Sequence, residues 1–218
     1  MPLGVTVTGN SVAEQRSLIA VAEAAGADWL ILQPPLSGSY GATEYVNFFA
    51  DVGQAANLPF AIQNAPQYLG RSLSGGDIAA LKSRCPGFTM IKSETGPVDL
   101  AALVALQGDS LTVMNGRGGM EMTDCLRAGC QGFIVAPDVL PGVRQCWTAW
   151  HAGDVAAAEA AYSAFLPAAV FGMQSLETLA CYGKRVFGLR AGIAINDRAP
   201  ALRPDAFGLA MAARWAGV

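Results

Sequence analysis

The chain has 218 residues, 52% of them hydrophobic and 14% charged, with a net charge of −3. That length holds one good-sized domain, or one with a small extension. A charged share well below the roughly 25% of an average soluble domain means that much of the surface is covered, inside the domain or against another subunit. A negative chain without a basic patch argues against nucleic acid as a partner, and no apolar run approaches the roughly 18–20 residues of a membrane span. The start, MPLGVTVTGN, lacks the basic stretch and apolar core of a secretion signal.

Along the chain, short apolar runs alternate with amphipathic stretches. Strands are expected at Gly4–Thr8, Trp29–Gln33, Phe60–Asn64, Phe88–Lys92, Leu111–Asn115 and Gly132–Ala136, with starts 21 to 31 residues apart. Each is β-rich and bounded by Gly, Pro or Asn, as suits strands buried on both faces. Helices fill the gaps. Ser11 with Glu14 reads as a capping box opening a helix toward Ala25. Thr43 starts the next helix, and Ser74 with Asp77 opens another that ends near Pro86. Pro97 fits the first turn of a helix stopping before Gly108. Gly118–Gly119 leads into one closed by Gly129. Unbroken βαβα order means a parallel sheet with right-handed crossovers. No GxGxxG follows the first strand, which disfavours a dinucleotide-binding sheet. After Ala136 only helices are expected: Asp138–Ala152, Asp154–Phe171, Gln174–Leu189 and Pro204–Trp215, with an extended Arg198–Pro204 linker. The chain thus divides into a barrel-type part, 1–152, and a helical segment, 153–218.

The five cysteines are odd in number and never spaced CxxC, so reduced thiols in a cytoplasmic protein are expected. His151 is the only histidine, which leaves little material for a metal cage or a Ser-His-Asp triad. Neither a metal nor a cofactor is assigned.

Of three lysines, Lys82 and Lys184 fall in helices, while Lys92 ends a strand. Period-two alternation puts Phe88, Met90 and Lys92 on one face. Facing into a barrel, the amine would sit at the strand's C-terminal end, where barrel enzymes keep their sites. A lysine so placed can supply the neutral amine that makes a carbinolamine and imine. The plainer alternative is a lysine that snorkels from the strand end and pairs with Glu94. Gln63 and Asn64 close the neighbouring strand with uncharged amides able to hold a hydroxyl or water. Asn115-Gly116-Arg117-Gly118-Gly119 forms a loop whose N–H groups can approach a carboxylate.

These strand-end motifs together resemble the dihydrodipicolinate synthase and N-acetylneuraminate lyase superfamily of class I aldolases and dehydratases. The resemblance spans Leu3 to Trp215. It is carried by Val5–Ser11, Ala24–Asp28, Leu58–Pro66, Met90–Glu94, Asn115–Gly119 and Ala128–Ala136. It implies a (β/α)8 TIM barrel followed by three helices, here with six βα units, the third to the eighth. Lys92 matches the family's Schiff-base lysine. Ile134 matches a residue whose carbonyl lies beside the reacting group, and Gly116 a glycine lining the substrate pocket, with Gly118 in the same loop. The implied substrate is a 2-oxo acid, the implied chemistry metal-independent, and the implied assembly a homo-oligomer, dimer or tetramer.

Three departures shape the reading. Gln63 stands where the synthases have a proton-relaying Tyr. Their carboxylate-binding Arg falls on Tyr68, with Arg71 nearby. Paired tyrosines become Pro34-Pro35-Leu36. The pattern is closer to members that dehydrate 2-keto-3-deoxy sugar acids, with Glu94, or a water positioned by Gln63, moving protons. Six strands do not close an eight-stranded barrel, so the chain is expected to be truncated, or Met1 to be an internal methionine. The competing expectations are an inactive fragment and a binding or interaction module of the same family.

Overall fold

In the computed structural model, residues 2–70 and 72–218 are described, except for the Tyr68 side chain. The chain forms two compact units, one of residues 1–116 and 125–133, the other of 117–124 and 134–218.

The first unit runs β1 (Gly4–Val7), α1 (Val12–Ala24), β2 (Trp29–Leu32), α2 (Ala42–Gly53), β3 (Phe60–Asn64), α3 (Pro66–Leu69), α4 (Gly75–Arg84), β4 (Phe88–Ser93), α5 (Pro97–Gln107) and β5 (Thr112–Asn115). The helix α6 (Met122–Arg127) spans the two units, and β6 (Gly132–Phe133) closes the run. All six strands are parallel and neighbours in chain order. This is the incomplete (β/α) barrel expected from the sequence.

Helices cover one face of these strands. Val7, Leu30, Leu32, Phe60, Ile62, Phe88, Ile91 and Val113 pack there against Ile19, Phe49, Val52, Ile78, Leu81 and Leu100. Phe60 and Phe88 stack with ring centroids 5.8 Å apart and at most 1% exposure. Each such ring adds roughly 2–3 kcal/mol by leaving water.

The strict alternation expected in β4 fails at one point. Phe60 pairs with Phe88, but Ala61 pairs with Met90, so Thr89 is an extra residue. This bulge puts Phe88 among the helices, while Met90 and Lys92 take the opposite face beside Ala61 and Gln63.

Helix starts follow the sequence signals unevenly. At α4 the capping box is complete: Asp77 N–H donates to Ser74 Oγ and Ser74 N–H to Asp77 Oδ2. At α1 only half forms, because Glu14 Oε2 accepts from Asn10 N–H instead of Ser11. Helix α2 begins at Ala42 after Gly41 rather than at Thr43. The last strand is shorter than expected, since β6 pairs with β5 through two residues only.

The second unit holds α7 (Leu140–His151), α8 (Val155–Gly172), α9 (Leu176–Thr178), α10 (Lys184–Ala191) and α11 (Ala206–Ala216), with a π-helical turn, Leu179–Gly183, joining α9 to α10. Asp154 caps α8 by accepting from Ala157 N–H, and Asp205 caps α11 through Gly208 N–H. One sequence reading needs correction. By length and composition α8 is apolar enough to cross a bilayer, with mean hydropathy 1.4 over 18 residues. Much of that value comes from alanines, and α8 also carries Glu159, which accepts from the Thr123 hydroxyl, and Tyr162, which donates to Met120 O.

Candidate active site

Four strand-end residues of the first unit come together on the face opposite the helices. Pairing register sets Gln63 beside Lys92 and Lys92 beside Met114. Leu32 pairs with Ile62, so Gln33 follows beside Gln63 in the same row. Glu94 lies two residues beyond Lys92 and therefore on its side of the strand. Its N–H donates to Asn64 O at 2.8 Å, which fixes the backbone where β4 ends.

Lys92 Nζ lies 2.7 Å from Glu94 Oε1, with side-chain exposures of 16% and 6%. The same oxygen accepts from Gln63 Nε2 at 2.8 Å, and Gln63 Oε1 accepts from Gln33 Nε2 at 2.6 Å. The pair is a charge-assisted contact in a largely dry setting, held by a chain of amides. The two sequence readings of Lys92 thus meet: it pairs with Glu94, and it does so at the C-terminal end of a barrel strand.

Gly116 makes the arrangement possible. A Cβ there would fall 2.6 Å from Lys92 Cε and 3.0 Å from Glu94 Oε1. Only a residue without a side chain lets this loop pass the lysine so closely.

Asn64 does not join the group. Its Oδ1 accepts from Leu73 N–H and its Nδ2 donates to Leu73 O, which closes the loop after β3. It lines a cleft of about 500 Å³ with Leu73, Ser93, Thr95 and Asp99, which Lys92, Gln63 and Glu94 do not line. Gly118, Arg117 and Ile134 belong to the second unit. There Gly118 has φ +65° and its Cβ would meet Met173 at 2.6 Å. Arg117 grips Glu121 through both Nε and Nη2. Arg71 and the Tyr68 side chain lie outside the described residues.

The other lysines have structural partners. Lys82 donates to Phe88 O and Lys184 pairs with Asp197. His151 stacks on Trp147 and contacts its carbonyl. All five cysteines are free and buried, and burial pushes the Cys146 thiol up to about 11.

Sequence reasoning missed Gln33 and Gln15. Gln15, fully buried, donates from Nε2 to both Gly9 O and Gln33 O. The available signal was positional: Gln33 ends its strand where Gln63 and Lys92 end or nearly end theirs.

A parallel βα-barrel run with a lysine–carboxylate pair at its strand ends is the class of protein these features define. The chain belongs to the dihydrodipicolinate synthetase family, whose model matches residues 1–172. It is 25% identical over 148 residues to the 4-hydroxy-tetrahydrodipicolinate synthase of Chlorobium phaeobacteroides (strain BS1), covering 67% of this chain and 50% of that protein. It is 31% identical over 141 residues to the enzyme of that name from Xanthomonas axonopodis pv. citri (strain 306), covering 63% and 44%. The matches thus span about half the length of these curated relatives.

Among solved structures, a putative dihydrodipicolinate synthetase from Pseudomonas aeruginosa superposes with a TM-score of 0.91 at 23% identity, covering 100% of this chain and 75% of that one. YagE, a prophage protein of the same family from E. coli K12 in complex with pyruvate, superposes with a TM-score of 0.88 at 21% identity, covering 97% and 73%. These likenesses establish the fold.

Proposed function

We propose that the protein is a lyase that forms a Schiff base between Lys92 and a 2-oxo acid, and that it dehydrates a 2-keto-3-deoxy sugar acid. The observation that carries this reading is the Lys92–Glu94 pair at the end of β4, with the lysine passing Gly116. The YagE structure, in complex with pyruvate, supports a 2-oxo acid as the ligand.

The groups present suffice for the steps. Glu94 takes a proton from the Lys92 ammonium, and the free amine attacks C2 of the oxo acid. Loss of water from the carbinolamine leaves an iminium ion, which acidifies C3. Glu94, or a water held by the Gln63 amide, removes a C3 proton to give the enamine. The enamine electrons expel the C4 hydroxyl, which leaves as water after receiving a proton. Hydrolysis of the remaining imine returns Lys92 and releases the product. General acid–base assistance of this kind contributes about 10²–10⁴-fold. In this reading the Gly116 backbone flanks the substrate beside Lys92.

A second reading, a 2-oxo acid binding module without turnover, is favoured by Gln63, an amide that cannot relay a proton as a tyrosine hydroxyl does. Borohydride reduction in the presence of pyruvate or a 2-keto-3-deoxy sugar acid should add mass at Lys92. An unmodified lysine rejects the Schiff-base reading. Ligand-induced stabilisation without product would select the binding module.

A further inference from the structure

We infer that Gln33 is a specificity-determining residue: its Oε1 receives a distal hydroxyl of a polyhydroxylated 2-oxo acid whose C2 is held by Lys92. The inference rests on the Schiff-base reading and narrows its substrate class.

The direction of the amide chain carries the argument. A carboxylate only accepts hydrogen bonds. The Gln63 group facing Glu94 Oε1 at 2.8 Å is therefore its NH2. That turns Gln63 Oε1 toward Gln33, where it is met at 2.6 Å by a group that must donate. Gln33 thus presents its NH2 to Gln63, and both amide orientations follow from the charge on Glu94. One atom is left over, Gln33 Oε1, and among the described residues no hydrogen-bond donor reaches it.

Gln33 is well anchored behind this free acceptor. Its N–H donates to Val7 O at 3.0 Å, and its carbonyl accepts from the buried Gln15 amide at 2.8 Å. Such support keeps a recognition group in place without a cost at binding.

Spacing selects the ligand. Gln33 stands two strands from Lys92 in one row, a separation of about 9–10 Å at the usual strand spacing. In a six-carbon 2-oxo acid the distal hydroxyl oxygens lie on the order of 5–6 Å from C2, and a hydrogen bond adds about 2.8 Å. With the imine bond to Lys92, an extended sugar-acid chain spans the gap, whereas pyruvate ends at C3. An acceptor at this place selects a hydroxyl and disfavours a second carboxylate, which would set acceptor against acceptor.

The test measures half-trapping concentrations in borohydride reduction for three ligands: pyruvate, a six-carbon 2-keto-3-deoxy sugar acid, and 2-oxohexanoate, which has the length but no hydroxyls. The wild-type protein should trap the sugar acid at about tenfold lower concentration than 2-oxohexanoate. In Gln33→Met that ratio, with each six-carbon acid read against pyruvate in the same variant, should fall to near one. Equal trapping of the two six-carbon acids by the wild-type protein, or a tenfold ratio surviving in Gln33→Met, overturns the inference. Should Gln33→Met not fold, Gln33→Asn, which withdraws the acceptor by one methylene, should shrink the ratio; an intact ratio there overturns it too. If the wild-type protein traps no pyruvate, the Schiff-base reading fails on its own.

Discussion

Glu94 and Asp138 are two acidic residues buried to the same degree, each 4% exposed, in two differently built regions. Glu94 receives a lysine and an amide on one oxygen. Asp138 has an Oδ1 with no hydrogen-bond partner, and its Oδ2 lies against the backbones of Gly172 and Gly183. Burial pushes the Asp138 carboxyl above the usual aspartate range; backbone N–H bonds and Arg190 offset this only in part. Equal burial thus comes with different surroundings: Glu94 has a lysine and an amide on one oxygen, while at Asp138 desolvation outweighs the nearby donors and disfavours the charge.

The contrast can be broken from either side. The largest effect is expected from removing a donor. Lys92→Met leaves Glu94 with its charge partly uncompensated and should cost about 3 kcal/mol in urea unfolding, at the low end for breaking a buried pair because the lysine retains some exposure. Adding Glu94→Gln to that variant should recover most of the loss. If the double variant is no more stable than the single, the pair is not what holds this corner.

Next in size is Gly116→Ala. Its Cβ would drive into Lys92 Cε, so it should cost about 1–3 kcal/mol by overpacking and lower imine trapping about 100-fold. Thermal melts and borohydride trapping separate the two effects. Wild-type trapping would show that the loop moves aside.

The smallest effect has the opposite sign. In the folded state Asp138 holds its proton more tightly than in the unfolded chain, so its contribution is fully present below the normal aspartate range. It is lost as pH rises through the raised folded value. Asp138→Asn should therefore raise Tm at pH 7 by about 2–4 °C, with the gain vanishing in acid. A lower Tm at pH 7 would mean the charge is paired after all.

The parts of this molecule that were legible in its sequence are those set by local chemistry. β-rich runs bounded by Gly, Pro and Asn gave all six strands, and Ser74 with Asp77 gave a helix start. A lysine closing a strand pointed to the candidate site, and the motif order pointed to the family. What escaped depends on pairing between distant segments. The bulge that sends Phe88 to the helices exists only because Phe60 and Ala61 pair out of step with β4. Asn64 and Gln63 are adjacent amides, yet one clamps Leu73 and the other reaches Glu94. Gln33 and Gln15 carry no motif, and their roles appear only when four strands are aligned. Asp138 reads as a helix start, but α7 begins at Leu140 and the side chain turns inward.

The central claim is that Lys92 activates a 2-oxo acid while Glu94 moves its proton. The direct measurement is the exchange of pyruvate methyl protons in D2O, followed by NMR. The account predicts exchange well above the solution rate, slowed about 100-fold in Glu94→Gln and abolished in Lys92→Ala. Exchange at the solution rate, or exchange that survives Lys92→Ala, would contradict it.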